Sequence, residues 1–416
     1  MRAGARAPAA ALAAAAVAVA AAPAVLAVSP AAAASASGSP TATPSRSQRL
    51  EVGGPRMASS GIVVNYPSSG KYPKLPRIPA GAYVIADANT GQVLAAKDPH
   101  GQFAPASTLK VLTAVTLIPA LNPGAMVKTT RLAADQEPND VGLVRGRQYQ
   151  VANLFRALLL ISANDAAVAL TQATGSFSKG MAMINAEAHH LQAYDVVAKL
   201  PNGLPAKGQV VSAYDEALIA RSALSIPAFM RYDSTLAARF LVNYVKKKHQ
   251  AKKKPEWVTL VNQNYLLTQY RGGIGGKIGW TEKSEATYIG LARRNGVTLI
   301  VTVLHCTPLM EITAGEKLLT WGFHMAGQVK PVGTLVPPLP SAAVLRQEQQ
   351  AKAAQKARLM RARQRAAHQH AVRLASQAEA RSSGHMDVGL AAGVGVIAVL
   401  GLGGLARQRR RQSRRS

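Results

Sequence analysis

Three short stretches carry residue types suited to acyl transfer. Ser107 and Lys110, in PASTLK, form Ser-x-x-Lys. On a helix that spacing puts both side chains on one face, where the lysine reaches the serine oxygen. The apolar residues Leu109, Leu112, Val115 and Leu117 recur at helical spacing. Ser107 is therefore expected to open a helix, where free N–H groups favour a developing negative charge. A partly buried lysine beside it loses proton affinity by desolvation and becomes a base for the hydroxyl. Ser-x-x-Lys recurs at Ser68/Lys71 and Ser176/Lys179. The first has no helix after it, and the second reads as a helix start far from any sheet. Ser162 and Asn164 interrupt the helical pattern VANLFRALLLISANDAAVALTQATG and put two short polar side chains at a turn. Taken alone they read as helix caps, worth about 1 kcal/mol. Lys277-Ile278-Gly279, in GGKIGWT, is the one Lys-x-Gly in the chain. It is expected at the start of a strand, where the glycine lets a ligand lie against the strand edge.

The elements that must position these residues follow from the pattern. AYVIADANTGQVLAAKD is two β-prone runs around a turn, a hairpin. PASTLKVLTAVTLIPAL, the stretch through Ser162, SFSKGMAMINAEAHHLQA and SAYDEALIARSALS read as helices. KIGWT and ATYIGLARRNGVTLIVTVLHC are β-rich, with Asn295-Gly296 at the tip of their turn. EKLLTWGFHM closes the region as a helix. Strands at both ends and helices between them predict an α/β (α+β) fold. The terminal strands pair in one antiparallel sheet, flanked by helices with a helical subdomain.

Ser-x-x-Lys, then Ser-x-Asn, then Lys-x-Gly is the order found in penicillin-binding proteins and class A β-lactamases. From about Ala82 to Phe323 the chain resembles the D-alanyl-D-alanine carboxypeptidases of the low-molecular-mass penicillin-binding type, the S11 serine peptidases. PASTLK, SANDAAVAL, the PNGL of 201–204, SAYDEALIARSAL, NQNYLL and KLLTWGF each look like the family's counterpart, in the same order. The resemblance implies the serine β-lactamase/penicillin-binding-protein fold. It implies attack by Ser107 on the carbonyl between two D-alanines of a peptidoglycan stem peptide, with Lys110 as base. Ser162 would relay a proton to the leaving amine, Asn164 would hold the substrate amide, and Lys277 would supply positive charge. The N–H groups of Ser107 and Trp280 would form the oxyanion hole, often the largest electrostatic factor in acyl transfer. β-Lactams become covalent inhibitors, and no metal or cofactor is called for. The nine histidines show no ligand spacing.

Two positions depart from the family. Its Lys-x-Gly normally holds Thr or Ser in the middle, to bind the terminal carboxylate of the peptide. Ile278 cannot donate, though Thr281 is placed to compensate. An arginine that serves the same carboxylate falls here near Glu311. A hydrogen bond to a charged group is worth about 1.5–3 kcal/mol, so each loss costs roughly ten- to a hundredfold in binding.

The ends set the expected location. Residues 1–36 read as a signal peptide, with a basic start, a long apolar run and small residues near Ala34 and Ala36. Residues 388–406 are uncharged and long enough to cross a bilayer. The basic 407–416 that follows holds the tail on the cytoplasmic side. Between these lie a Ser/Pro/Gly-rich linker (37–75), the catalytic domain (76–328), a Pro-rich linker (329–343) and a basic, helix-prone stalk (344–387). The expected protein is exported and anchored to the membrane by its C-terminal helix. The single cysteine, Cys306, lies in an apolar run and reads as a buried strand residue.

The chain carries 49 Lys and Arg against 20 Asp and Glu. Residues 341–416 hold 15 of the bases and 3 of the acids, so more than half of the excess lies earlier, most densely in KKKHQAKKK (246–254). On an exported protein this charge suits an anionic wall polymer or lipid headgroups, not nucleic acid. Three functions compete. The first is a D,D-carboxypeptidase, at full or reduced activity. The second is a related serine acyl-transfer enzyme such as an endopeptidase, esterase or β-lactamase. The third is an inactive wall-binding tether. A class A β-lactamase would want a glutamate in the stretch 195–211, which has none.

Overall fold

The computed structural model describes residues 45–242, 255–340 and 342–382. In chain order its strands are β1 (Ile62–Val64), β2 (Ala80–Asp87), β3 (Gln92–Lys97), β4 (Met126–Lys128), β5 (Gln148–Gln150), β6 (Ala237–Val242), β7 (Glu256–Val261), β8 (Gly273–Thr281), β9 (Glu285–Arg294), β10 (Val297–Cys306) and β11 (Gly333–Thr334). Its α-helices are α1 (Arg46–Leu50), α2 (Leu109–Leu117), α3 (Arg131–Ala134), α4 (Val151–Leu160), α5 (Asn164–Gln172), α6 (Phe177–His190), α7 (Ala213–Leu224), α8 (Pro227–Asp233), α9 (Leu266–Gln269), α10 (Glu311–Met325) and α11 (Ala342–Ser382).

The main sheet runs β1-β3-β2-β10-β9-β8, with β11 also on β3. Every pairing in it is antiparallel. The first hairpin, β2–β3, meets the last, β9–β10, through β2 and β10, as the pattern of terminal strands requires. Both faces of the sheet are covered, so its central strands read as nearly continuous apolar runs. Strand alternation sorts the residues. Ala82, Val84 and Ala86 of β2 join Ile300 and Leu304 of β10 in one core, with α2, α4, α5 and Tyr214 and Ala217 of α7. Tyr83 and Ile85 join Leu299, Val301 and Val303 in the second, under Leu318, Leu319 and Trp321 of α10. Cys306 is buried in β10. Asn295 and Gly296 both have positive φ, +48° and +81°, as a two-residue hairpin turn demands. β8 forms the edge of the sheet, and the helical half of the molecule lies beside it.

The described parts of the two expected linkers, from 45 to 75 and from 329 to 340, are part of the domain. Within 37–75, α1 opens with a capping box between Ser45 and Gln48. Met57 is fully buried, and β1 pairs with β3 from Ile62–Lys97 to Val64–Ala95. His100 fastens this segment. Its Nδ1 lies 2.7 Å from Asp195 Oδ2, and its Nε2 lies 3.0 Å from the Val52 carbonyl, which can only accept. The polar composition hid three consecutive β-branched residues, enough for an edge strand. Within 329–343, Val332 and Leu335 are buried and β11 pairs with β3. Tyr214 donates to the Thr334 carbonyl at 2.6 Å, and the Leu339 amide donates to the His190 carbonyl at 2.7 Å. The prolines there flank the pairing without blocking it.

α11 is polar all round, and its Leu359, Met360, Val372 and Leu374 are exposed without forming a stripe. Among the described residues no helix is long and apolar enough to cross a membrane. The signal-peptide reading (1–36), KKKHQAKKK, the transmembrane reading (388–406) and the basic tail (407–416) lie outside the described residues.

Met57 is the one large apolar side chain that residues 45–61 bury completely. Met57→Ala is expected to lower stability by about 2–5 kcal/mol. Urea unfolding reads it, and an unchanged midpoint would return this segment to the status of a linker.

Candidate active site

Ser107 lies in a single 3-10 turn, Ala106–Thr108, that runs into α2. Ala106 holds a left-handed φ of +47°, a strained geometry of the kind that gathers at functional sites. The PNGL loop presses on this turn. Gly203 has φ +82°, and a Cβ there would stand 1.7 Å from the Ala106 carbonyl oxygen. Only glycine permits that approach.

Lys110 is fully buried. Its Nζ lies 2.8 Å from Ser107 Oγ, 2.7 Å from Asn164 Oδ1 and 2.6 Å from the Asn202 carbonyl. As an ammonium it donates to all three. The amide and carbonyl oxygens can only accept. A free amine therefore spends its two N–H on them and turns its lone pair to the serine hydroxyl. Burial, aided by the charge of Lys277, pushes the proton affinity of Lys110 well below that of an ordinary lysine, while Asp165 opposes the shift.

Ser162 and Asn164 are not helix caps. The residue that caps α5 is Ala163, without a side-chain bond. Ser162 has φ +63° and is 4% exposed, and its Oγ has no partner among the described residues. Asn164 Nδ2 donates to the Glu137 carbonyl at 2.8 Å, and its second N–H has no acceptor among the described residues. Asp165 accepts from the amides of Val141, Leu143 and Ala166, which pins the loop above the site.

Lys277-Ile278-Gly279 lies in the second half of β8, not at its start. A Cβ on Gly279 would come within 2.7 Å of the Ser107 amide nitrogen and 2.5 Å of Thr287 Oγ1, so the strand passes directly against the nucleophile. Thr287 in turn donates to the Pro105 carbonyl at 2.9 Å. Lys277 is buried, and desolvation lowers its pKa to about 7 against the pull of Asp233. Asp233 accepts from the Gly276 amide at 2.6 Å, and burial raises its carboxyl to about 7.

A cavity of about 650 Å³ joins these parts. Of the sequence-predicted residues, Ser107, Ser162, Asn164, Gly279, Trp280 and Thr281 line it. Lys110 and Lys277 are buried behind its wall. Trp280 is 57% exposed. Thr281 has already paired its hydroxyl with Ser284 Oγ at 2.7 Å, so it is a poor stand-in for the missing Thr or Ser. Ile278 and Glu311 also line the cavity.

Sequence reasoning missed four contributors. The Asn202 carbonyl is backbone and carries no side-chain signal. Asp165 and Asp233 look like ordinary polar helix residues. Glu216 is buried beneath the nucleophile, against the Thr108 hydroxyl, and burial raises its carboxyl to about 8. Thr108 has one proton and also faces the Pro105 carbonyl at 2.6 Å, which suits a protonated Glu216 as the donor.

The sheet, the helical half and the Ser-Lys-Ser-Asn cluster at the sheet edge define a penicillin-binding, DD-peptidase-type fold. The family model for peptidase S11, D-alanyl-D-alanine carboxypeptidase, matches residues 69–307, and the chain belongs to this family of hydrolases. D-alanyl-D-alanine carboxypeptidase DacB2 of Mycobacterium tuberculosis is 34% identical over 268 residues, covering 63% of this chain and 88% of that relative. DacF of Bacillus subtilis is 28% identical over 251 residues, covering 59% of this chain and 62% of that relative. The crystal structure of a D-alanyl-D-alanine carboxypeptidase from M. tuberculosis H37Rv is similar at TM-score 0.58 and 31% identity, over 65% of this chain and 99% of that one. The Streptomyces K15 DD-transpeptidase is similar at TM-score 0.55 and 25% identity, over 60% of this chain and 99% of that one.

Two outcomes are expected. The unfolded glutamate releases its proton near its ordinary value of 4.5, whereas folded Glu216 holds it to about 8. The native state binds the extra proton between those values, so stability falls as pH rises through that window. Glu216→Gln is expected to reduce this slope and to stabilise the protein at pH 8 by a few kcal/mol, read as urea midpoints at pH 5 and pH 8. Asp165, Asp215 and Asp233, all raised by burial, keep part of the slope. Gly279→Ala is expected to displace the Ser107 turn and slow acylation by about a hundredfold, the scale of a misplacement near 1 Å. An unchanged acylation rate would separate β8 from the chemistry.

Proposed function

We propose that this protein hydrolyses the D-alanyl-D-alanine bond of peptidoglycan stem peptides through an acyl-enzyme on Ser107. The observation that carries this reading is a fully buried lysine 2.8 Å from the serine oxygen, with two fixed acceptors holding its other hydrogens. Ser107 Oγ attacks the carbonyl carbon, and its proton passes to Lys110. The oxyanion forms at the N–H groups of Ser107 and Trp280. Ser162, whose hydroxyl has no partner among the described residues, relays a proton to the departing D-alanine nitrogen. The free N–H of Asn164 holds the substrate amide, and Lys277 adds positive charge. The C–N bond breaks, and an ester on Ser107 remains. Water then adds to the ester, Lys110 takes its proton and returns it to Ser107 Oγ as the ester C–O bond breaks, and the carboxylic acid product leaves. β-Lactams acylate the same oxygen.

In this reading the enzyme acts outside the cell. Residues 1–36 direct export, 388–406 anchor the chain, and the basic stalk and KKKHQAKKK meet anionic wall polymer or lipid. A second reading, a weakened carboxypeptidase or a D,D-endopeptidase, is favoured by one observation. Ile278 and Glu311 stand on the cavity wall where a carboxylate-binding hydroxyl and a cation are expected.

Mass spectrometry of the protein after exposure to a penicillin, with amine release from intact and cross-linked muropeptides, tests the reading. A covalent adduct is expected on Ser107, absent in Ser107→Ala. Lys110→Arg, which keeps the charge but cannot act as base, is expected to lose about 10²–10⁴-fold in turnover. A folded protein that forms no adduct and releases no amine would leave a wall-binding tether.

A further inference from the structure

The wall made by β8 and the start of α10 decides what the substrate carries beyond the scissile bond. Ile278 alternates with Lys277 and Gly279, so its side chain stands on the other face of β8. There it packs against the second core, which also takes Ile312 from the first turn of α10. Glu311 is the first residue of α10 and lines the same cavity. One of its carboxylate oxygens is shut off from solvent and has no hydrogen-bond partner among the described residues. The charged side chains on the cavity wall are Glu137, Glu282, Glu311 and Lys283. Lys283 is exposed, while the two buried lysines lie behind the nucleophile. The hydroxyl of Thr281 is taken by Ser284. A peptide carboxylate brought to this wall meets Glu311, an apolar Ile278 and no free hydroxyl. A group with N–H to give meets an unfilled acceptor, and an unfilled buried acceptor is a loss that binding then recovers. Ser162 Oγ, buried and unpartnered, opens on the same space and serves the bond being broken.

We propose that this wall selects a D-alanyl substrate whose leaving residue presents a hydrogen-bond donor in place of a free carboxylate, and that Glu311 reads that donor. The proposal rests on the acyl-transfer reading of Ser107. The bond changes are unaltered: the Ser107 ester forms, the C–N bond breaks, and the amine leaves with the relayed proton. What differs is the far end of the leaving group, which is either an amidated terminus or the carboxamide of an amidated diamino acid in a cross-link. Both offer N–H to Glu311 and neither needs an arginine.

The test is kcat/KM for three peptides that share one acyl half. One ends in D-alanyl-D-alanine with a free carboxylate, and the second is its C-terminal amide. In the third, D-alanine is joined to the side-chain amine of an amidated diamino acid. At least one donor-bearing peptide is expected to be cleaved tenfold or more faster than the free acid, and the better of the two identifies amidated or cross-linked substrate. Glu311→Gln is expected to narrow the gap and Glu311→Arg to reverse it, mainly through KM. Ile278→Thr is expected to raise turnover of the free acid only. A wild-type preference for the free acid, equal rates on all three, or an unchanged ratio in Glu311→Arg overturns the proposal and leaves the serine chemistry standing. No Ser107-dependent release from any of the three, with no adduct on Ser107, removes both.

Discussion

The site depends on keeping an ammonium group out of water. Lys110 has no exposed surface, and among the described residues no carboxylate is in contact with Nζ. Its nearest oxygens are neutral, and Lys277 adds a second positive charge to the same neighbourhood. Such surroundings favour the uncharged amine, which is the form that can accept a proton. The surrounding structure serves that condition. α2 presents the lysine and the serine together, the PNGL loop closes over one side, and the Ser162–Asn164 turn closes the other. Each of the two loops spends a polar oxygen on the amine, so Lys110 is oriented as well as desolvated.

The same constraint explains why so many other ionisable groups nearby are shifted. Glu216, Asp233, Asp165 and Lys277 are all buried, and desolvation is the first cause of each shift. Each does positional work through its hydrogen bonds. Glu216 backs the Ser107 turn, Asp233 fixes β8 at Gly276, and Asp165 ties two amides of the covering loop, Val141 and Leu143, to the start of α5. A polar framework inside an apolar shell is costly, and it holds a single arrangement of the cluster.

Ser107, Lys110, Ser162, Asn164, Lys277 and Gly279 were legible because each sits in a spaced pattern whose chemistry has few other uses. The hairpins and the long helices were legible through their periods. The errors have a common physical origin. β1 and β11 are too short for a period to show, and a two- or three-residue edge strand exists only because β3 offers it partners. Lys277 was expected at the start of a strand, yet a bulge between Gly273 and Gly275 carries the strand back through the glycines before it, and Lys277 falls mid-strand. Ser162 and Asn164, taken alone, looked like caps and were legible only through their place between the other two motifs, because a local pattern cannot say that Lys110 will take the Asn164 oxygen. Contacts between distant segments, such as Gly203 against Ala106, leave only an unexplained glycine behind.

The two ends of the main sheet are treated differently. β3 is covered by both β1 and β11, from opposite ends of the domain, so that side is sealed. β8 has a partner on one side only. A long open edge is a template for any extended chain, including another copy of the same protein. Here it is bent by a bulge, Gly276 has a φ of +128°, and a lysine is turned inward midway along it. These features spoil pairing with a full-length strand while leaving room for a few residues beside Ser107. The edge can therefore dock a short peptide and still refuse a neighbour's sheet, so the opening that admits substrate does not also become a site of self-association.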